Sequence, residues 1–261
     1  MFSPYNRMVF SPRSKDGTWY QSKTFKAEES GERVAQIDIY DAIDPWGVSA
    51  EELVGFVRNL EADTIRVNIN SPGGSVFDGN AIANAFRSHP AKTVMTVDGV
   101  AASIASTIWA AGDERFIHDN AWIMIHNTWA MSVGNARELR ETAALLERLD
   151  GTLISTYDKI FPTKSTEEIE AMLDAETWLN ATDVRDLEAG LIVESAEAQA
   201  KGAFDLSFYS RVPAELLETS EAARAHAAAK AAEAPAATYV SEQDRLKLRA
   251  RLAAMGVASP A

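Results

Sequence analysis

The stretch "TVMTVDGVAASIASTIWAAGD", residues 93–113, predicts a β-strand followed by a buried helix. Its first part is rich in β-branched residues and ends at Gly99, whereas the remainder consists mainly of small and apolar residues. Ser103 falls near the start of the predicted helix, where backbone N–H groups lack acceptors and the helix dipole favours negative charge. A serine inside a buried helix usually just bonds a carbonyl one turn earlier. Its position therefore makes Ser103 a candidate nucleophile.

The same alternation of strands and helices continues on both sides of this stretch. β-branched or apolar runs predict further strands, and amphipathic runs predict helices, the longest of them over residues 135–161. Such alternation is typical of βαβ units, so the sequence predicts an α/β fold. The other predicted strands are 34–40, 64–70, 121–126 and 191–195, and the other predicted helices include 49–60 and 78–88.

Three regions differ in composition. Residues 1–33 are polar and turn-rich, which predicts an irregular N-terminal arm, and residues 34–195 carry the α/β pattern. Residues 196–261 are Ala-rich and predict a partly disordered tail that ends in an amphipathic helix over 241–256. This terminal helix is basic although the protein as a whole is acidic, so it is a candidate for contact with a partner.

The composition excludes several classes of protein. A net charge of −13 and a pI near 4.8 argue against binding to nucleic acid or to an anionic membrane surface. The chain has no cysteine, which excludes disulfides and thiolate chemistry. No signal-peptide core is evident, and the most apolar window, 94–112, contains Asp98, so we expect no membrane span and a cytoplasmic location.

A serine nucleophile needs a base, and the chain offers only four histidines. His226 lies in the Ala-rich tail, His89 precedes a proline, and His118 falls in a predicted turn. His126 ends the predicted strand 121–126, and α/β sheets place functional groups at the carboxyl ends of strands. His126 is therefore the preferred candidate base, although a neutral core histidine would fit the same pattern.

A glycine-rich turn, "NSPGGSVFDG", occupies residues 70–79. It lacks the Lys-Ser/Thr pair of a phosphate-binding P-loop, and a tight turn is its simplest interpretation. The alternative is that Gly73 and Gly74 present backbone N–H groups to a developing oxyanion.

Taken in order, these segments resemble the Clp protease family. The matching segments are "INSPGGSVFDG", "VDGVAASIAS", "IMIHN", the long helix and "ETWLNATDVRDLEAGLIVES", and they span residues 34–195. The chain looks most like the phage-type branch, the prohead or head maturation proteases. The resemblance implies a ClpP/crotonase-like α/β fold of repeated βαβ units with a long protruding handle helix.

The resemblance also implies a serine-type endopeptidase, a peptide hydrolase. Ser103 falls on the nucleophile, His126 on the general base, and Gly73 and Ile104 on the two oxyanion-hole amides. No metal or cofactor is expected.

The sequence indicates the substrate-binding residues and the acidic member of the triad less clearly. A substrate strand is expected to pair beside the glycine turn, which makes Gly74 and Ser75 candidate substrate-binding residues. The family has an aspartate before an aromatic-Leu-Ser/Thr-Ala segment, and "ETWLNA" places Glu176 there, with Asp174 as its rival. Glutamate can orient an imidazole as aspartate does, but both residues also fit surface carboxylates.

The partners that the resemblance implies are protein substrates, namely scaffold, capsid or portal proteins, and further copies of the chain. Helix 135–161 falls on the handle through which rings of subunits dock, although it could equally pack on its own domain. The N-terminal arm differs from the axial segment of Clp peptidases, so an ATPase partner is not expected. In this setting the tail over residues 196–261 is hypothesised to be a scaffold or delivery segment that the enzyme itself removes. Two alternatives stay open: a crotonase-like acyl-CoA enzyme, and a non-catalytic capsid-assembly or scaffold protein.

Overall fold

The structure, a computed structural model, describes residues 20–26, 31–43, 50–193, 206, 209–214 and 216. Within these residues the chain forms strands and helices in alternation. In chain order they are β1 (Tyr20–Lys26), β2 (Arg33–Ile39), α1 (Ala50–Arg58), β3 (Thr64–Ser71), α2 (Val76–Ser88), β4 (Lys92–Ala102), α3 (Ile104–Trp109), β5 (Glu114–His118), β6 (Trp122–Ile125), α4 (Ala136–Tyr157), α5 (Thr166–Asp174), β7 (Thr177–Asn180), α6 (Ala181–Asp186) and β8 (Leu191–Val193).

The strands form one mixed sheet in the order β1-β2-β3-β4-β5-β8. The pairs from β2 to β8 are parallel, whereas β1 joins β2 antiparallel. Strand β4 is long enough to pair twice: Val94–Val97 pair with β5, and Val100–Ala102 pair with β6, which in turn pairs antiparallel with β7. The predicted α/β fold is confirmed, and the carboxyl end of β4 lies between β3 and β6.

Period-two alternation places one face of the sheet in the core. Along β3, Ile65, Val67 and Ile69 are buried, whereas Arg66 and Asn68 point to the opposite, more polar face. The apolar stripes of α1 and α2 cover the buried face; they comprise Leu53, Val57, Ile82 and Phe86.

In the stretch 93–113, which predicted a strand followed by a buried helix, the strand and the helix have different boundaries from those expected. Strand β4 continues to Ala102, and α3 spans only Ile104–Trp109. The strand extends because the backbone of Val100–Ala102 completes a ladder with β6, an interaction that local sequence does not reveal. Ser103 therefore sits at the junction between the strand and the helix, not inside the helix.

Two predictions about the ends of the domain need correction. The irregular arm predicted for residues 1–33 is wrong over Tyr20–Lys26, because these residues form the edge strand β1. The division at residue 195 is wrong for part of the predicted tail, since Leu206 and Tyr209 are buried against Val100, Ala102 and Met124. The predicted terminal helix, 241–256, lies outside the described residues.

Helix α4 extends away from the core for most of its length. A capping box formed by Asn135 and Glu138 starts the helix, but only Leu153 and Tyr157, near its end, are buried. Leu139, which belongs to the apolar stripe that makes this helix amphipathic, remains 43 % exposed. The apolar stripe is therefore not explained by packing on its own domain, and the helix protrudes as the resemblance implies.

None of the helices in the described part of the chain has the length and apolarity needed to cross a membrane.

Candidate active site

Ser103 occupies a strained turn between β4 and α3. Its backbone has φ 54° and ψ −129°, a region that residues with a side chain rarely adopt. The Ser103 N–H donates to the Met124 carbonyl oxygen at 2.9 Å, which ties the turn to β6. A strained serine between a strand and a helix is the arrangement of a nucleophile elbow, in which the hydroxyl projects from the end of the sheet.

The structure brings Ser103 and His126 into contact. Ala102 pairs with Met124 across β4 and β6, so the residues that follow the two strands emerge side by side. Ser103 Oγ lies 2.7 Å from His126 Nε2, although the two residues are 23 positions apart in the chain.

The environment of His126 suits a general base. Burial lowers the pKa of His126 below its usual value, while the charges of Glu176 and then Asp150 act in the opposite direction. The net lowering favours a neutral imidazole at neutral pH. In the tautomer with its proton on Nδ1, the Nε2 atom can accept the hydrogen bond from the Ser103 hydroxyl. A neutral imidazole in this position can take the proton of the serine.

A second hydrogen-bonded pair supports the nucleophile from below. Ser106 Oγ donates to the Ser103 carbonyl oxygen at 2.5 Å and lies 2.7 Å from the Tyr157 hydroxyl. Tyr157 comes from the buried end of α4, so the protruding helix is anchored directly under the candidate site. In the sequence, Tyr157 belongs to the apolar side of the amphipathic run over residues 135–161, a pattern that gives no sign of this polar contact.

The glycine turn lies directly against Ser103. A Cβ added to Gly73 would come within 2.7 Å of Ser103 Cβ, and one added to Gly74 would overlap the Ile43 carbonyl. Both residues also have positive φ, 89° and 147°, so both positions require glycine. An isolated parallel bridge between Ile43 and Gly74 holds the turn in place.

The amides around the site differ in their availability. The Gly73 N–H already donates to Ser71 Oγ at 3.2 Å. The Ile104 N–H is the first amide of α3 and has no acceptor within the helix. No acceptor for the Gly74 N–H is present among the residues that the structure describes. Of the two predicted amides, Ile104 is therefore free to donate, whereas Gly73 is engaged.

One cavity contains these groups. Gly74 lines it, but Ser75 does not: Ser75 Oγ caps α2 by accepting from the Asp78 N–H, and its own N–H donates to the Ile43 carbonyl. The cavity is lined by Pro72, Gly73, Gly74, Val76, Ser103, Ile104, His126, Thr128, Trp129, Leu153, Tyr157 and Tyr209.

Comparison with known proteins identifies the family of this chain. The sequence model of the Clp protease family matches residues 35–198. The chain belongs to the Clp protease family. An ATP-dependent Clp protease proteolytic subunit of Porphyromonas gingivalis is 30% identical over 193 residues, which cover 67% of this chain and 84% of that protein. Proteolytic subunit 2 of Pseudomonas aeruginosa is 29% identical over 142 residues, which cover 52% of this chain and 67% of that protein.

The fold is also that of a Clp protease. A point mutant of ClpP1 from Listeria monocytogenes superimposes with a TM-score of 0.54 over 62% of this chain and 93% of that chain, at 23% identity. This likeness supports the ClpP-like architecture of the sheet and helices.

Neither candidate acid of this Clp protease hydrogen-bonds the imidazole. Glu176 Oε2 and Oε1 accept the N–H groups of Ser210 and Arg211 at 2.9 and 2.6 Å. Asp174 Oδ1 accepts from Asn127 Nδ2 at 2.6 Å, and Asp174 is exposed. The structure therefore places the Glu176 charge near enough to act on His126 and Asp174 against Asn127, and neither carboxylate is hydrogen-bonded to the base.

A third carboxylate near the base, Asp150, was not predicted from the sequence. It lies on α4 and its Oδ1 accepts both the N–H and the hydroxyl of Thr128, at 2.6 and 2.8 Å. Its charge is the second one that raises the pKa of His126. The detectable signal was its helical spacing, since Leu146, Asp150, Leu153 and Tyr157 recur three or four residues apart.

The remaining histidines serve other contacts. His89 Nε2 lies 3.0 Å from the Leu60 carbonyl oxygen, and its Nδ1 accepts from the Ala91 N–H. His118, predicted in a turn, belongs to β5, where its Nε2 lies 3.5 Å from Asp98 Oδ1. His226 lies outside the described residues. Among the residues that the structure describes, no group of three or more acidic or histidine side chains is placed to hold a metal ion.

Proposed function

We propose that this Clp protease family member is a serine endopeptidase with Ser103 as nucleophile and His126 as general base. The observation that supports the proposal best is the 2.7 Å contact between Ser103 Oγ and His126 Nε2 at a strained strand-to-helix turn. A crotonase-like acyl-CoA enzyme needs no such serine–histidine pair, so this contact favours hydrolysis.

The reaction follows from the positions of these two groups. Ser103 Oγ attacks the carbonyl carbon of the peptide while His126 Nε2 takes its proton, which produces a tetrahedral oxyanion. The imidazolium then gives this proton to the departing amine as the C–N bond breaks, leaving an acyl-serine. Water, deprotonated by the same nitrogen, attacks the ester, and the proton returns to Oγ as the acid product leaves.

The oxyanion requires backbone donors that are free. We assign this role to the Ile104 and Gly74 amides, because the Gly73 N–H is engaged by Ser71 Oγ. Gly73 instead provides the close approach of the turn to Ser103, where any side chain would clash. Losing one such donor typically lowers kcat by about 10²–10³-fold.

Glu176 is the carboxylate that we assign to the imidazolium. Its charge raises the pKa of His126 more strongly than that of Asp150, the second such carboxylate, whereas Asp174 is exposed and bonded to Asn127. Because Glu176 makes no hydrogen bond to the ring, its effect in this geometry is electrostatic stabilisation of the protonated base.

The cavity beside the nucleophile favours an apolar substrate side chain. Val76, Trp129, Leu153 and Tyr157 form its apolar wall. We propose that an apolar residue flanking the scissile bond enters this space, while the substrate backbone pairs beside the glycine turn.

The biological setting is a further part of the proposal. The order of the sequence motifs supports a phage-type head maturation protease that cleaves scaffold, capsid or portal proteins within the host cytoplasm or the procapsid. Exposed apolar residues on α4, including Leu139 and Leu145, support docking between rings of subunits. The relatives are named as proteolytic subunits of ATP-dependent proteases, so dependence on an ATPase is the competing expectation.

A fluorophosphonate probe tests the chemistry. Wild-type protein should be labelled on Ser103, Ser103→Ala should not, and His126→Ala should be labelled about 10²–10⁴-fold more slowly. Ser155→Ala is the matched control, because Ser155 is exposed on α4 and bonds only the Gly151 carbonyl one turn earlier. Failure to label wild-type protein would favour the acyl-CoA enzyme or the non-catalytic scaffold.

The substrate is tested separately by co-expression with a candidate scaffold or capsid protein. Cleavage by wild-type protein, absent with Ser103→Ala, would support the maturation role. Cleavage of model peptides but of none of the candidate structural proteins, or cleavage that requires an added ATPase, would contradict it.

A further inference from the structure

Tyr209 lies in the wall of the catalytic cavity although it comes from the predicted tail. It is only 8% exposed and lies beyond residues 35–198, which the family model matches. Its ring meets the His126 ring edge to face, with centroids 5.4 Å apart and an angle of 88° between the planes. Its hydroxyl donates to the Pro72 carbonyl oxygen at 2.6 Å. One side chain thus contacts both the base and the start of the glycine turn.

The residues next to Tyr209 are anchored to the same site. The N–H groups of Ser210 and Arg211 donate to the Glu176 carboxylate, and hydrogen bonds to a charged acceptor are stronger than neutral ones. On the other side, Leu206 is buried against the ends of β4 and β6. The position of Tyr209 is therefore held by apolar packing and by charge-assisted hydrogen bonds.

We propose that Tyr209 is a positioning residue of the hydrolytic site, which fixes the Pro72 carbonyl through its hydroxyl and holds the imidazole of His126 against Ser103 with its ring. The proposal rests on the proposed serine peptidase function. The two parts of the side chain have separate roles. The hydroxyl sets the position of the glycine turn, and the ring sets the orientation and the solvent access of the base.

The two roles predict different pH behaviour. The groups that face His126 are the Glu176 carboxylate from the turn just before β7, the Asp150 carboxylate from α4, and the Tyr209 ring. Burial holds the pKa of His126 down, so removal of the ring should let water reach the imidazole and raise the pKa toward its usual value. Removal of the hydroxyl alone should leave that pKa unchanged.

The test measures the rate of fluorophosphonate acylation as a function of pH for full-length variants. Tyr209→Phe should slow acylation about fivefold to tenfold at every pH, the effect of one lost hydrogen bond, without moving the acid midpoint. Tyr209→Ala should slow acylation further and move the midpoint to higher pH. Tyr40→Phe is the matched control, because the partly buried Tyr40 hydroxyl bonds the Asp98 carboxylate and does not line the cavity.

The outcomes separate this role from the proposed function. If wild-type protein and both Tyr209 variants are labelled equally fast, the positioning role is refuted while the peptidase proposal stands. Faster labelling of Tyr209→Ala also refutes it, since the residue would then obstruct the site. If wild-type protein is not labelled at all, the peptidase proposal fails and this role fails with it. Should Tyr209→Ala not fold, the rate of Tyr209→Phe against Tyr40→Phe decides the question.

Discussion

The strain at Ser103 leads to a prediction about stability that is independent of any substrate. With φ 54° and ψ −129°, Ser103 occupies a region that glycine adopts freely and that other residues adopt at a free-energy cost. Ser103→Ala keeps the Cβ atom and therefore keeps the strain. Ser103→Gly removes it. Both variants lose the same hydroxyl and its contact with His126, so that loss cancels when the two are compared.

The magnitude follows from two opposing effects. A non-glycine residue in a sparsely populated region of this kind costs about 1–3 kcal/mol. The greater conformational entropy of glycine in the unfolded chain offsets about 0.5–1 kcal/mol of the relief. We therefore expect Ser103→Gly to have a free energy of unfolding about 1 kcal/mol greater than that of Ser103→Ala. For a domain of this size the difference corresponds to about 2–4 °C in Tm.

Urea unfolding followed by circular dichroism measures this difference, and equal m-values show that the two variants unfold over the same surface. The matched control is the same pair of substitutions at Ser155, an exposed position within α4. There the order should reverse, with alanine more stable than glycine by about 0.5–1 kcal/mol. If Ser103→Gly is no more stable than Ser103→Ala, the turn stores no strain and the reasoning is refuted.

Three further predictions concern catalysis. Because burial lowers the pKa of His126 and the base must be neutral, the rate of acylation should fall on acidification through a midpoint below the usual histidine value of about 6.5. A pH–rate profile with a midpoint above that value would contradict this. Gly73→Ala should abolish labelling by the fluorophosphonate probe, because its Cβ would clash with the nucleophile. The control variant Gly151→Ala, in open space on α4, should be labelled normally. In the same urea assay this control should raise the free energy of unfolding by about 0.5–1 kcal/mol. Glu176→Gln should slow peptide cleavage about tenfold, because it removes a charge that stabilises the imidazolium. Asp174→Asn should have little effect. If Asp174→Asn lowers kcat more than Glu176→Gln does, Asp174 is the acid.

The sequence predicted the elements that have long periodic patterns. The strands and helices from β2 to β4 and the long helix α4 fall where the alternation and the apolar stripe place them, within a few residues. It missed β5 and β7, which have only five and four residues and depend on pairing with neighbouring strands. It also missed β1, a polar edge strand whose hydrogen bonds come from β2.

Some residues of the candidate site could also be predicted from the sequence, and others could not. Sequence order was enough to select Ser103 and His126, because each directly follows a recognisable strand. It was not enough to choose between Gly73 and Gly74, since the choice depends on which amide is already bonded to Ser71. Nor could it reveal that Glu176 binds backbone amides 34 and 35 residues further along the chain.

The residue types and their local periods determined by themselves that this chain forms an α/β domain with a serine, a histidine and a glycine turn at the ends of strands. Periodicity can do this because burial of alternating or helically spaced apolar side chains is a local property of the chain. Tertiary structure alone decided which carboxylates lie close enough to shift the pKa of His126, which amide is free, and that Tyr209 lines the cavity. Those outcomes depend on hydrogen bonds and ring contacts between residues far apart in the chain, whose distances are set only when the strands pair.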